Sequence, residues 1–279
     1  MKSFKKVLIF VLIILTVIIM TPYECKAMYS GRACISNETE CSEFIHKNIF
    51  SEEIPLKYND EGVCVLMYHS IGYEKNNGLR MPEQQFREQM KYIKDNGYTT
   101  LTMDELYSFF TENKPIPKKS LVITFDDGYL DNYKYAYPIL KEFDLKATIF
   151  VIASNIDKDN RSMNSQQLKE LQANGIDIQS HTLNHEELNK LSYEKQLQTL
   201  KESKEIIEKA LDKKVNYIAY PYGRYNEDTI RAVKDAGYTM GFATGGRVSR
   251  KNNGIYTLRR IGVVAGDEMS VFIGKLKSQ

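Results

Sequence analysis

Tryptophan is absent from this 279-residue chain, and cysteine and histidine occur only four times each. None of the cysteine spacings suits a thiolate zinc site, so any metal has to be held by histidine and carboxylate. A large charge imbalance is lacking as well. The formal net charge is +2, and Lys2, Lys5, Lys6 and Lys26 against Glu24 put +3 into the first 27 residues, leaving −1 for the body. A near-neutral body excludes the electrostatic footprint of a nucleic-acid binder. No internal repeat or low-complexity tract is visible. No apolar run is long enough for a comfortable membrane span either. Val7–Met20 gives fourteen residues, apolar except Thr16, against about 20 for a spanning helix.

What is present at the N-terminus reads as an export signal. Lys2, Lys5 and Lys6 precede the apolar run, Thr21-Pro22 breaks it, and Cys25-Lys26-Ala27 offers small residues at a cleavage site. Residues 1–27 are expected to be a signal peptide, with an uncleaved membrane anchor as the alternative. Either way the remainder lies outside the cytoplasm, secreted or held at the surface of a bacterial cell. Residues 28–60 are polar and irregular and read as a stem, and 61–279 as the functional domain. Cys34 and Cys41 fall in the stem and could pair in an oxidising compartment. Cys64, inside the apolar run Val63–Met67, reads as a buried small hydrophobe.

From Gly62 onward short β-branched and aromatic runs alternate with amphipathic stretches. Strands are predicted at Val63–Tyr68, Leu121–Phe125, Ala147–Ile152, Ile176–Gln179, Asn216–Tyr220, Thr239–Ala243 and Leu258–Val264. Helices are predicted from Pro82 to Gly97, after the Thr102/Glu105 capping box, and over Asn132–Phe143, Ser165–Ala173, Ser192–Leu211 and Asn226–Ala236. Such alternation argues for a parallel sheet covered by helices, and about seven units favour a barrel over an open sheet.

The polar clusters fall at the C-terminal ends of these strands, where a (β/α) barrel carries its active site. Asp126-Asp127-Gly128 ends one strand. A bend at the glycine would let one carboxylate bind a metal while its neighbour stays available as a general base. His181 and His185 are spaced i, i+4, and a helical turn there would project both rings from one face. Two imidazoles and a carboxylate leave room for water and substrate, and suit Zn²⁺ best, with Co²⁺, Mn²⁺ or Fe²⁺ compatible. The turn Tyr220-Pro221-Tyr222-Gly223 can aim a backbone N–H at a developing oxyanion. His69 is the remaining titratable group and could protonate a leaving amine.

Together, Thr124-Phe125-Asp126-Asp127-Gly128-Tyr129, Ser180-His181-Thr182-Leu183-Asn184-His185 and Tyr220-Pro221-Tyr222-Gly223 resemble the first three motifs of the NodB-homology polysaccharide deacetylases, carbohydrate esterase family 4. The resemblance covers about residues 62–279. It implies an irregular (β/α)7 barrel, Asp126 as general base, Asp127, His181 and His185 as ligands of one divalent metal ion, and the Tyr222 N–H as oxyanion donor. The implied reaction is hydrolysis of N-acetyl groups on an amino-sugar polymer.

Three departures mark this chain. Ala219 stands where the third motif usually has an arginine that orients the base. The usual fourth-motif tryptophan is missing, and no histidine follows His185. Leu66-Met67-Tyr68-His69 and Leu258-Arg259-Arg260-Ile261 resemble the subgroup typified by biofilm poly-N-acetylglucosamine deacetylases, in which the acid-bearing strand moves to the front of the domain. The resemblance then gives His69 the acid role. One of Arg259 and Arg260 is expected to replace the missing arginine beside Asp126, since strand alternation sends only one inward. The expected partner is a glycan, with no nucleic acid, a membrane only through an uncleaved N-terminus, and a monomeric state. Alternatives are peptidoglycan, chitin oligomers or acetylated xylan as substrate, or a silent glycan-binding barrel.

Overall fold

The computed structural model describes residues 54–277. The expected signal or anchor, most of the stem, Cys25, Cys34, Cys41 and His46 lie outside the described residues. Seven strands build the central layer: β1 (Cys64–Tyr68), β2 (Ser120–Phe125), β3 (Ala147–Val151), β4 (Ile176–Ser180), β5 (Tyr217–Ala219), β6 (Met240–Phe242) and β7 (Ile261–Gly262). They are parallel, in the order β6-β5-β4-β3-β2-β1-β7. Leu258, just ahead of β7, makes a parallel bridge to Phe242 of β6. The segment Leu258–Gly262 thus touches both edges of the sheet and curls it into a seven-stranded, barrel-like ring.

Side-chain alternation divides each strand between two apolar clusters. Cys64, Leu66 and Tyr68 of β1, Leu121, Ile123 and Phe125 of β2, and Ile149 and Val151 of β3 pack with helix residues in the outer core. Val65, Val122, Phe150, Ala219 and Phe242 belong to the inner cluster. Cys64 is fully buried, and burial pushes its thiol up to about 12.

The outer helices are α1 (Glu83–Asp95), α2 (Met103–Glu112), α3 (Tyr137–Glu142), α4 (Ser165–Ala173), α5 (Tyr193–Leu211), α6 (Glu227–Asp235) and α7 (Met269–Lys277). α1 buries Phe86, Met90 and Ile93, the i, i+4, i+7 stripe of the sequence. In the α2 capping box the Glu105 N–H donates to Thr102 Oγ1 at 3.1 Å, and the Thr102 N–H donates to Glu105 Oε2 at 2.7 Å. α2 sends Met103, Leu106, Phe109 and Phe110 into the inner cluster. It follows a short strand, Thr99–Thr100, paired with the start of β2, so it fills the barrel at the N-terminal ends of the strands.

Leu56–Lys57 pairs antiparallel with Ile116–Pro117 in a small sheet of its own, within the compact unit that begins at Pro55. Some expected elements differ in extent. The predicted strand Leu258–Val264 shrinks to Ile261–Gly262, because its first residues serve the bridge to β6 and the bonds of Arg260. The predicted helix Asn132–Phe143 opens with a wider π turn, Asn132–Ala136, before α3. Helix α7 had no strong periodic signal and was not expected.

Candidate active site

The inner register of the strands selects the site residues. In β2 the inward positions run Ser120, Val122, Thr124, and the next step is Asp126. In β4 Asp177 and Gln179 lead to His181, and in β1 Val65 leads through Met67 to His69. All three residues lie at the C-terminal rim of the barrel.

The turn after β2 then reverses sharply. Asp127 and Gly128 both have φ +72°. A Cβ on Gly128 would stand 2.9 Å from Val151 Cγ1 and 3.3 Å from Val151 Cα, so only glycine fits against β3. Asp127 bears the left-handed strain itself, and this keeps its carboxylate beside Asp126 instead of on the opposite face.

His181 follows β4 directly and is 2% exposed. Its Nδ1 lies 2.8 Å from the Ala219 carbonyl oxygen. A carbonyl only accepts, so Nδ1 carries the proton and Nε2 presents its lone pair. Burial lowers the His181 pKa, outweighing the pull of Asp126 and Asp127, and this favours the neutral ring. The expected helical turn over His181–His185 does not form. Thr182 and His185 both take positive φ, +68° and +60°, and this irregular loop brings the second ring to the site.

The result is a compact donor set. Asp127 Oδ1 is 3.5 Å from His181 Nε2 and 3.4 Å from His185 Nε2. Asp127 Oδ1 is buried and has no hydrogen-bond partner. Donor atoms about 2.1 Å from a tetrahedral Zn²⁺ stand about 3.4 Å apart. An orphaned carboxylate oxygen facing two imidazole nitrogens at that spacing fits a metal ion. Tyr129, half-buried beside Asp127, has its hydroxyl pushed up to about 12 by burial and by that carboxylate.

Asp126 is 3% exposed and is gripped from behind. Arg260 Nη1 and Nη2 donate to its Oδ1 and Oδ2, each at 2.7 Å. Arg260 is fully buried, donates also to Thr124 Oγ1 at 3.2 Å, and stacks over Phe150 with its Cζ 5.4 Å from the ring centre. Burial works to raise the Asp126 carboxyl, but the Arg260 guanidinium, by its charge and its two hydrogen bonds, holds it well below the usual carboxylate range. Arg259 is exposed and lies over Gly245, where its Nη1 would come 2.6 Å from an added Cβ. Neither arginine sits in β7; both precede it. Ala219 is an inward, fully buried residue of β5, and its small side chain leaves the barrel interior to Arg260.

The turn Pro221–Gly223 follows β5. Tyr222 has φ +58°, and its ring packs edge-on against His185 with centres 4.6 Å apart. Gly223 is forced, since a Cβ there would meet Thr244 Oγ1 at 2.2 Å. His69 is half-buried at the exit of β1, within electrostatic range of Asp126. Two neighbours went unnoticed in the sequence. Asn132 Nδ2 donates to the His69 carbonyl at 2.8 Å, and Asp131 accepts from Ser70 Oγ at 2.5 Å and the Ile71 N–H at 3.0 Å. Their only signal was their place, four and five residues after Asp127.

A barrel of this topology, with two aspartates and two histidines on its rim, is the architecture of carbohydrate esterase family 4. The polysaccharide deacetylase family profile matches residues 113–241, and the chain belongs to that family. It is 41% identical over 214 residues, 77% of this chain and 76% of the other, to YxkH of Bacillus subtilis (strain 168), whose designation as a polysaccharide deacetylase is itself provisional. A poly-beta-1,6-N-acetyl-D-glucosamine N-deacetylase of Staphylococcus aureus (strain MSSA476) is 29% identical over 238 residues, 74% of this chain and 80% of that one. Among solved structures, the Streptococcus pyogenes deacetylase PplD in complex with acetate superposes with a TM-score of 0.75 at 32% identity, covering 78% of this chain and 99% of that one.

Proposed function

We propose that this chain is an exported, divalent-metal-dependent deacetylase that hydrolyses the N-acetyl groups of an N-acetylglucosamine-containing glycan to acetate and a free amine. The observation that carries the reading is the unpartnered Asp127 Oδ1, 3.4 and 3.5 Å from two imidazole nitrogens, beside an aspartate clamped by arginine. Asp127, His181 and His185 would hold the cation, Zn²⁺ by the character of the donors. A bound cation supplies Lewis acidity, which polarises the acetamide carbonyl and acidifies water.

The chain's own groups divide the remaining work. Asp126 stays ionised at any working pH, and the arginine fork fixes the direction of its carboxylate. Each of its oxygens keeps a lone pair to accept the proton of the attacking water. As a weak base it suits a water already acidified, not a bulk one. The Tyr222 N–H would donate to the oxyanion that develops on the acetamide oxygen. His69 donates a proton to the departing amine, which as a free anion would be too poor a leaving group.

Poly-β-1,6-N-acetylglucosamine is the substrate this reading favours, by similarity to the S. aureus enzyme. Acetate release should be measured on β-1,6-linked poly-N-acetylglucosamine, chitin oligomers, peptidoglycan and acetylated xylan. Release that is greatest on the β-1,6 polymer supports the assignment. Preferential release from another of these glycans would move the substrate, and release from none would leave a glycan-binding barrel.

A further inference from the structure

The stretch Asp126–Asn132 carries the proposed base and one metal ligand, and it also grips the chain at the exit of β1. The Asp126 N–H donates to the Tyr68 carbonyl at 3.0 Å. Asn132 Nδ2 donates to the His69 carbonyl at 2.8 Å. Asp131 takes the next two groups, with Oδ2 accepting from Ser70 Oγ at 2.5 Å and Oδ1 from the Ile71 N–H at 3.0 Å. Asn132 Nδ2 also donates to Asp131 Oδ1 at 3.2 Å, tying the two side chains together. Four consecutive residues of one strand exit are therefore held by one seven-residue turn of the neighbouring strand.

Asn132 is fully buried, and it opens the π turn Asn132–Ala136. Its carbonyl accepts from the Tyr137 N–H five residues on. Single π turns are uncommon and recur at functional sites. The backbone just after His69 is also paired, where Ser70–Ile71 lies parallel to Arg80–Met81. The His69 side chain thus departs from a main chain that the Asp131–Asn132 clamp holds.

We propose that Asp131 and Asn132 are positioning residues that set the His69 imidazole relative to Asp126 and Asp127, so that proton delivery to the leaving group is aligned with attack on the carbonyl. The inference rests on the acid role given to His69 above. It predicts a split that a general loss of structure does not produce. Hydrolysis of an N-acetyl group needs the amine protonated as the C–N bond breaks. Hydrolysis of 4-nitrophenyl acetate by the same water and base releases a stable phenolate and needs no acid.

The test compares purified, metal-loaded His69→Ala, Asn132→Ala, Asp131→Asn and Ser70→Ala with the parent on an N-acetylglucosamine oligomer and on 4-nitrophenyl acetate. Metal content and thermal unfolding are recorded for each. Misplacing a reacting group by about 1 Å costs as much as 10²-fold, so Asn132→Ala and Asp131→Asn should lower amide turnover by about 10- to 10²-fold. Their ester turnover should stay within about twofold of the parent, a difference too small to reflect loss of a catalytic group. Ser70→Ala, which removes one of the four bonds, should show a smaller split and keeps the test open if the Asn132 variant fails to fold. Equal losses on both substrates in Asp131→Asn and Ser70→Ala, or no loss on either, would overturn the positioning role. If His69→Ala itself shows no split, the acid assignment falls and takes this inference with it. A split in His69→Ala alone sinks only the clamp.

Discussion

Arg260 reaches across 134 residues of sequence to hold both carboxylate oxygens of Asp126, each at 2.7 Å, inside the barrel. The guanidinium is fully covered, while the carboxylate keeps a 3% exposure. It puts a two-point clamp where Ala219 leaves β5 without one.

That clamp should not be transferable. Removing one member of a buried ion pair costs about 3–5 kcal/mol, so Arg260→Ala should unfold at distinctly lower denaturant and lose turnover. Arg260→Lys keeps the charge but replaces the planar fork with a point donor, and should recover stability better than activity. Arg259→Ala, whose side chain is exposed, should match the parent in both. Denaturation and acetate-release assays on the three variants check this ordering.

The same pair should shape acid unfolding. The Asp126 carboxyl titrates below its unfolded value of about 3.9 in the folded chain. Its contribution is therefore complete above that value and is lost as pH falls below it toward the folded value. Asp126→Asn should be less stable overall, since Arg260 loses its counter-charge, but its stability should fall less steeply below about pH 4. Unfolding midpoints measured from pH 6 downward would show this, and parallel slopes for the two proteins would contradict it.

Metal content separates ligand from base. Asp127→Ala, His181→Ala and His185→Ala should each lose bound metal and activity together. Asp126→Asn should keep the metal and lose turnover by about 10² or more, the scale of general-base catalysis. Elemental analysis after dialysis reads the first, and acetate release the second. Full occupancy in His181→Ala would remove that residue from the ligand set.

Gly128 offers a test of the turn itself. At φ +72° and with a Cβ pressed to 2.9 Å from Val151, Gly128→Ala combines left-handed strain with a steric clash. It should destabilise the fold by about 1–3 kcal/mol. It should also weaken metal binding, because Asp127 shares the bend. A variant with parent stability and metal affinity would show that the bend is not needed.

Much of this was legible because alternation in a strand is a rule of two. Once β1, β2 and β4 are recognised, His69, Asp126 and His181 follow as inward residues at the rim, whereas alternation alone left Arg259 and Arg260 open and the structure turns Arg260 inward. Asp127 breaks the rule through its positive φ, which the adjoining glycine hinted at. The i, i+4 spacing of His181 and His185 suggested a helix, whereas two left-handed residues in an irregular loop make the approach. The two-residue length of β7 was hidden because Leu258–Val264 is apolar or β-branched at most positions whether or not it pairs. Asp131 and Asn132 were missed because their bonds run to atoms about 60 residues away, which no local pattern records.

The central claim is tested most directly by titrating metal-free protein with Zn²⁺ while following acetate release from β-1,6-linked N-acetylglucosamine oligomers. The account predicts no release without metal and a rise that saturates at one equivalent, absent in Asp127→Ala. Undiminished release from the chelated protein, or none at any Zn²⁺, Co²⁺, Mn²⁺ or Fe²⁺ concentration, would contradict it.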